Sequence, residues 1–349
     1  MPGIPGFSRP ALNGSYQDDG ATVRYSPFVT PIDKIDHFVL DAYRTCEFAT
    51  LAKDGTPLAW PTSPFRQQDG TVLITTSIGF AQKALNVRRD GRVALLFSDP
   101  TGSGLEDPGQ VFIGGRARCS ELTTSPAGLE EFWSMLFFRQ PSSRGYSLPV
   151  ARSLMDWYYM RLLITVTPER VLERPAGSAA RPALARPSGS PGLAEAWRTA
   201  RRSGLPGARE LARYPSAVLA ARDVDGGITL ARCVPRPAEG GYLVASAPGA
   251  DPAEGPASLL VHRHDDKLSG ASFALVRGRI SRPAPAADWL LVPDRVVRPA
   301  ANPLRTIINC RSASARYLAS RSLDRPAIPW DQYRALARRP ADRPGRLPT

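Results

Sequence analysis

The run Thr75-Thr76-Ser77, followed at short intervals by Gln82, Lys83, Asn86, Arg88 and Arg89, concentrates hydroxyls, amides and cations in one segment of the chain. It reads as a strand delivering hydroxyls to the mouth of a short helix, after which Asp90-Gly91-Arg92 turns into a second strand over Val93 to Phe97. The chemistry that suits such a junction is the binding of a phosphate. A helix N-terminus offers unpaired N–H groups and a partial positive charge, and Thr or Ser hydroxyls with a Lys complete an anion's shell. The same spacing also describes an ordinary basic helix between two strands.

The elements that must position these residues are visible on either side. Phe48 to Pro64 forms two strand-like runs joined by the Asp54-Gly55 turn, and Asp69-Gly70 joins the second run to the strand ending at Ser77. Three antiparallel strands therefore precede the helix. Upstream, Pro31 to Tyr43 carries Ile32, Ile35, Phe38, Val39 and Ala42 at helical spacing. Downstream, Ala127 to Arg139 and Val150 to Leu162 are amphipathic helix candidates rich in Phe, Trp and Tyr, whose aromatic face is expected to seat on the core.

Through "FATLAKDGTPLAWPTSPF", "GTVLITTS", "KALNVRRDGRVALLF" and "GGRARC", in that order, the sequence resembles the pyridoxamine 5'-phosphate oxidase-like family of FMN-binding split β-barrels, over residues 30 to 175. The resemblance implies that Thr75, Thr76, Ser77, Lys83 and Gln82 hold the phosphate of FMN, with Arg66 where a further cation reaches it. Asn86 and Arg88 then support Lys83 from one helical turn away, and the isoalloxazine lies along the second strand near Pro61, Thr62 and Ser63. It implies a flavin-dependent oxidoreductase acting on a small organic molecule, because flavin chemistry needs orientation and solvent control from the protein and no protein nucleophile. The longer basic pattern that grips pyridoxal phosphate is not recognisable, which argues against vitamin B6 oxidation itself. A deazaflavin coenzyme would use the same helix mouth, so a deazaflavin-dependent reductase is an alternative, as is a non-catalytic protein holding flavin or haem.

Self-comparison reveals a second, eroded copy. Thr50 to Asp54 is echoed by Leu219 to Asp223, Val72 to Ser77 by Tyr242 to Ala247, Ile113 to Ala117 by Val276 to Ile280, and Pro168 to Val171 by Pro293 to Val296, with the order kept. Between the third and fourth strands the second copy has only Pro248 to Pro256, where the Lys, Asn and Arg are replaced by two acids. A phosphate would meet repulsion there. Residues between Gly278 and Pro293 are likewise far fewer than between Gly115 and Pro168, so the aromatic helices are missing from the second copy. The expected fold is mainly β with flanking helices (α+β): two tandem split β-barrels forming a pseudo-dimer, with one intact phosphate site and no need of a second chain to build it.

A length of 349 residues with 42% hydrophobic content supports two cored domains. The expected organisation is a flexible arm over 1–30, the first barrel over 31–174, a Pro/Ala/Gly/Ser/Arg-rich linker over 175–192, the degenerate barrel over 193–300, opening with a helix over Leu193 to Ala212, and a helical tail with a frayed end over 301–349. That tail is expected to cover barrel surface left open by the shortened second copy. The net charge of +13 comes almost wholly from two Arg-rich segments, 170–213 and 311–349, so it implies no basic face on a barrel and no nucleic-acid partner. No long apolar run or leader pattern is present, and a soluble, cytoplasmic protein is expected. Cys46, Cys119, Cys233 and Cys310 lie far apart with no CxxC pairing and read as buried small residues. His262 and His264 share one face of a strand, but no third ligand is near them in sequence, so no metal site is expected.

Overall fold

The computed structural model describes residues 37–106, 108–174, 191–245, 247, 249–284, 288–298 and 302–339. The expected arm (1–30), residues 31–36 of the first helix, most of the linker (175–190) and the frayed end (340–349) lie outside the described residues.

The first unit runs α1 (His37–Ala42), β1 (Cys46–Leu51), β2 (Pro57–Thr62), β3 (Pro64–Arg66) and β4 (Val72–Ser77). A 3₁₀ turn (Ile78–Phe80) then leads into α2 (Gln82–Arg89), followed by β5 (Arg92–Phe97) and β6 (Gln110–Thr123). After β6 come α3 (Glu130–Arg139), a second 3₁₀ segment (Pro141–Ser147), α4 (Pro149–Tyr159) and β7 (Arg161–Arg174). The second unit comprises α5 (Pro191–Arg202), α6 (Ala208–Leu211), β8 (Ala217–Arg222), β9 (Ile228–Cys233), β10 (Arg236–Ala238), β11 (Gly241–Val244), β12 (Gly255–Arg263), β13 (Ser272–Ser281) and β14 (Trp289–Val297), and the chain ends in α7 (Pro303–Ala319) and α8 (Trp330–Arg338). The helix expected over 193–212 is two pieces because Gly204, Pro206 and Gly207 interrupt it, the last at a φ of 88° that only glycine adopts readily.

Each unit is a seven-stranded antiparallel sheet. The first is ordered β2-β1-β5-β6-β7-β4-β3 and the second β9-β8-β12-β13-β14-β11-β10, which is the same order strand for strand. The bulges repeat as well. β6 shifts register between Gly114 and Gly115, where Gly115 faces Pro168, and β13 shifts between Arg277 and Gly278, where Gly278 faces Pro293. A Cβ at Gly115 would stand 2.2 Å from the Thr167 carbonyl oxygen, and one at Gly278 would stand 2.1 Å from that of Val292. Both bulges thus need glycine for the same close backbone approach. Three of the four sequence echoes fall in structural register. The first is displaced by two residues, since Leu51 faces Pro57 across its hairpin as Arg222 faces Ile228, which sets Asp223 in the place of Ala52.

The two sheets pack on each other through β1, β2 and β5 against β8, β9 and β12. Strand alternation sends Phe48 and Leu95 into the first barrel's core and Ala49, Ala94 and Leu96 out against Val218, Ala220, Leu230 and Leu260 of the second unit. Both faces of β1 are therefore covered, which is why all six of its residues are buried and its sequence reads as a near-continuous apolar run. Polar contacts stitch the rim of this seam: Ser258 donates to the Pro57 carbonyl at 2.6 Å, Arg92 to that of Gly226 at 2.7 Å, and Arg174 to that of Leu230 at 3.0 Å. Arg174, counted above in a surplus of free basic charge, is thus part of the seam.

The tail departs from expectation. Tyr317, Leu318, Tyr333 and Leu336 join the core of the first barrel, and α7 lies along the 3₁₀ turn before α2. Gly79 in that turn is wedged so tightly that a Cβ would meet Trp157 at 2.8 Å and the Cys310 Cβ at 2.9 Å. The aromatic faces of α3 and α4 needed a cover, and the first unit's inserted helices, rather than the second unit's gaps, received the tail. Among the described residues no helix is long and apolar enough to cross a membrane.

Candidate functional site

The junction singled out in the sequence is built by β4, the 3₁₀ turn and α2. Thr76 is buried, and its hydroxyl donates to the Phe80 carbonyl at 2.9 Å while accepting from Lys83 Nζ at 3.3 Å. The hydroxyl thereby fixes the turn and the lysine together. Lys83 also lies 5.8 Å from the centre of the Trp60 ring on β2. Burial, with the neighbouring Arg161 guanidinium, pulls its pKa down to about 8.

Arg161 is the residue that sequence reasoning missed. It opens β7 directly opposite Ser77 of β4, so the two share a sheet face. Its guanidinium sits 4.2 Å from the Tyr158 ring and 5.1 Å from that of Trp133, and Nε and Nη2 are buried without a hydrogen-bond partner. Among the described residues neither Lys83 nor Arg161 is in an ion pair. A buried guanidinium beside a half-buried ammonium, with no counter-ion, is costly unless an anion completes the pair.

The other sequence candidates are placed as follows. Ser77 is buried at the end of β4, and Thr75 is half-buried opposite Leu163. Gln82 is exposed and donates to Asn86 Oδ1 at 2.8 Å, while the buried Asn86 donates onward to Thr50 Oγ1 at 2.9 Å. Asn86 therefore ties α2 to β1. Arg88 donates to the Ser120 carbonyl at 2.6 Å and Arg89 to that of Leu51, which fixes the far end of the helix. Arg66 is engaged elsewhere, in a two-pronged pair with Asp41 at 3.1 and 2.7 Å, and the fold does not bring it to Lys83 as a free cation. Pro61, Thr62 and Ser63 are half-buried at the end of β2, with Thr62 Oγ1 3.5 Å from the Cys46 carbonyl oxygen.

The cysteines do not supply a nucleophile. Burial pushes the thiols of Cys46 and Cys233 up to about 12 and that of Cys310 up to about 11, and raises Cys119 as well.

No family model matches the sequence, and no curated protein matches it. Solved structures do. A protein of unknown function from Agrobacterium tumefaciens is 23% identical, matching 42% of this chain and 60% of its own, at a TM-score of 0.29. A conserved hypothetical protein of Mycobacterium tuberculosis is 19% identical, over 48% of this chain and 100% of its own, at 0.31. A Listeria innocua protein described as a pyridoxamine 5'-phosphate oxidase is 17% identical, over 39% of this chain and 91% of its own, at 0.26. This chain carries two antiparallel sheet units of one strand order, and each of these matches covers less than half of it.

Among the described residues the second unit has no counterpart of the cation pair. Where the first has its 3₁₀ turn and α2, the second passes from β11 to β12 with no helix among the described residues. Where the first has α3 and α4 bringing Arg161 into place, the second has a short connection from β13 to β14.

Proposed function

We propose that the first barrel binds the phosphate of a flavin-type cofactor, FMN, between Lys83, Arg161, Thr76 and Ser77, and that the protein is a flavin-dependent oxidoreductase acting on a small organic substrate. The observation that carries this reading is a pair of cations, the buried Arg161 and the half-buried Lys83, with no acid among the described residues to neutralise them. A phosphate dianion supplies the missing charge and accepts the unpaired guanidinium N–H groups. The residues present fit the group: a helix N-terminus at Gln82, hydroxyls at Ser77 and Thr76, and two cations converge on one end of β4.

In this arrangement each residue has a task. Arg161 is held rigid by Tyr158 and Trp133, so little side-chain entropy is lost on binding. Thr76 aims Lys83. Trp60, Pro61, Thr62 and Ser63 form the surface of β2 next to the lysine, where an apolar ring system would be shielded from water. The flavin, when bound, supplies hydride or electron transfer, and the protein orients it.

The test is a fluorescence titration of the purified chain with FMN. Lys83→Ala should weaken binding about 10- to 100-fold, in keeping with loss of one charged hydrogen bond. Unchanged affinity in the variant would remove the assignment.

A further inference from the structure

The seam between the barrels holds a second cluster of chemistry-bearing side chains, distant in role from the cation pair. His262 and His264 lie near the end of β12, and Asp99 follows β5 of the other unit. The Asp99 Oδ2 atom is 3.5 Å from His264 Nε2 and 3.9 Å from His262 Nδ1, and the three ligand atoms all lie within 4.8 Å of one another. Their side chains are at most 3% exposed. The expectation that the histidines lack a third ligand is thereby corrected, because the missing group comes from the other copy.

The outer contacts decide which atoms face the centre. His262 Nε2 is 2.7 Å from Glu47 Oε1, and a carboxylate only accepts, so the ring proton sits on Nε2 and leaves Nδ1 bare. His262 Nδ1 is buried with no hydrogen-bond partner. In the same way His264 Nδ1 donates to the Asp265 carbonyl at 2.9 Å, which leaves Nε2 as the bare nitrogen. That nitrogen has the Thr45 hydroxyl 3.0 Å away. Glu47 is itself paired with Arg232 at 2.5 Å. Two imidazole nitrogens and a carboxylate oxygen therefore converge, each imidazole oriented by an outer acceptor, with the Thr45 hydroxyl as the donor at hand to His264 Nε2. That is how metal-binding histidines are held.

We propose that Asp99, His262 and His264 bind a divalent transition-metal ion of the zinc class, which clamps the two barrels of one chain together, with the fourth position beside Thr45 taken by water or the hydroxyl. Two nitrogens and one carboxylate oxygen suit zinc, and tetrahedral bonds of about 2.0 to 2.2 Å would draw the three ligand atoms, now within 4.8 Å of one another, together by about 1 Å on the longest edge. The clamp is independent of the phosphate site.

The experiment uses untagged full-length protein, stripped with a chelator, dialysed and titrated with Zn²⁺ alone. One equivalent should bind, with a rise in Tm. Co²⁺ in its place should give tetrahedral absorption bands without a thiolate charge-transfer band. His264→Gln and Asp99→Asn should each lower Zn²⁺ affinity at least 100-fold while FMN affinity, read on the same samples, stays unchanged. Failure of the stripped wild-type chain to take up one equivalent of Zn²⁺, a thiolate-type cobalt spectrum, or undiminished binding by folded His264→Gln would overturn the proposal. The wild-type arms stand whether or not the variants fold.

Discussion

The two barrels share their strand order and even the glycine of their bulge, yet among the described residues only the first sets an unpaired buried guanidinium beside a lysine at the end of its fourth strand. What separates them is insertion: α2 brings Lys83 and the α3–α4 pair brings the aromatic seat of Arg161. The sheet is thus a common frame, and the site is a property of segments added to it. The second barrel retains what a partner needs, an apolar face on β8, β9 and β12, and adds polar groups such as Arg232 and His262 at the seam.

The seam is where the comparison is most easily broken. Arg232→Met leaves Glu47 at 0% exposure without its guanidinium partner, held only by the His262 and Ser98 hydrogen bonds, and should cost about 3 kcal/mol in a denaturant titration. A cost below about 1 kcal/mol would show that the barrels do not depend on this contact. The repeated bulge comes next. Gly115→Ala and Gly278→Ala should each cost about 2 to 3 kcal/mol, because each Cβ would collide with a carbonyl oxygen. A large effect in one copy only would mean the bulges are not equivalent.

The remaining predictions sharpen the difference at the proposed phosphate site. Arg161→Met should reduce FMN affinity about 10- to 100-fold with little loss of stability, since the guanidinium makes no hydrogen bond through Nε or Nη2 in its absence. Smaller in size is the pH dependence. Lys83 has its pKa depressed from 10.5 to about 8, so below pH 8 folded and unfolded chains are both protonated there and the cost of burying the charge is constant. Between pH 8 and 10.5 the unfolded chain holds more protons, so the stability of the FMN-free protein should rise with pH across that window. FMN affinity should move the opposite way, falling by up to about tenfold per pH unit above 8 as the ammonium is lost. Lys83→Met should abolish both slopes.

How much of this was legible in the sequence follows from the range of each interaction. The hairpins declared themselves through Asp54-Gly55 and Asp69-Gly70, and the duplication through echoes that keep turn and bulge residues, because both signals are local. Thr76 and Lys83 were visible for the same reason: they lie seven residues apart on one strand-turn-helix unit. Arg161 was not, being one arginine among many, and it reaches the site through the pairing of β7 with β4. Asp99 was hidden likewise, since it meets His262 and His264 only once the barrels pack. The tail was misplaced because an amphipathic stripe shows that a helix has a face to bury and says nothing of which surface receives it. Arg66, on the strand beside that junction, pairs with Asp41 instead.

A crystal structure of the chain with FMN tests the central claim most directly. The account predicts one flavin per chain, its phosphate within hydrogen-bond distance of Lys83 Nζ and the Arg161 guanidinium at the end of β4. A phosphate held in the second barrel, or one bound away from both cations, would contradict it.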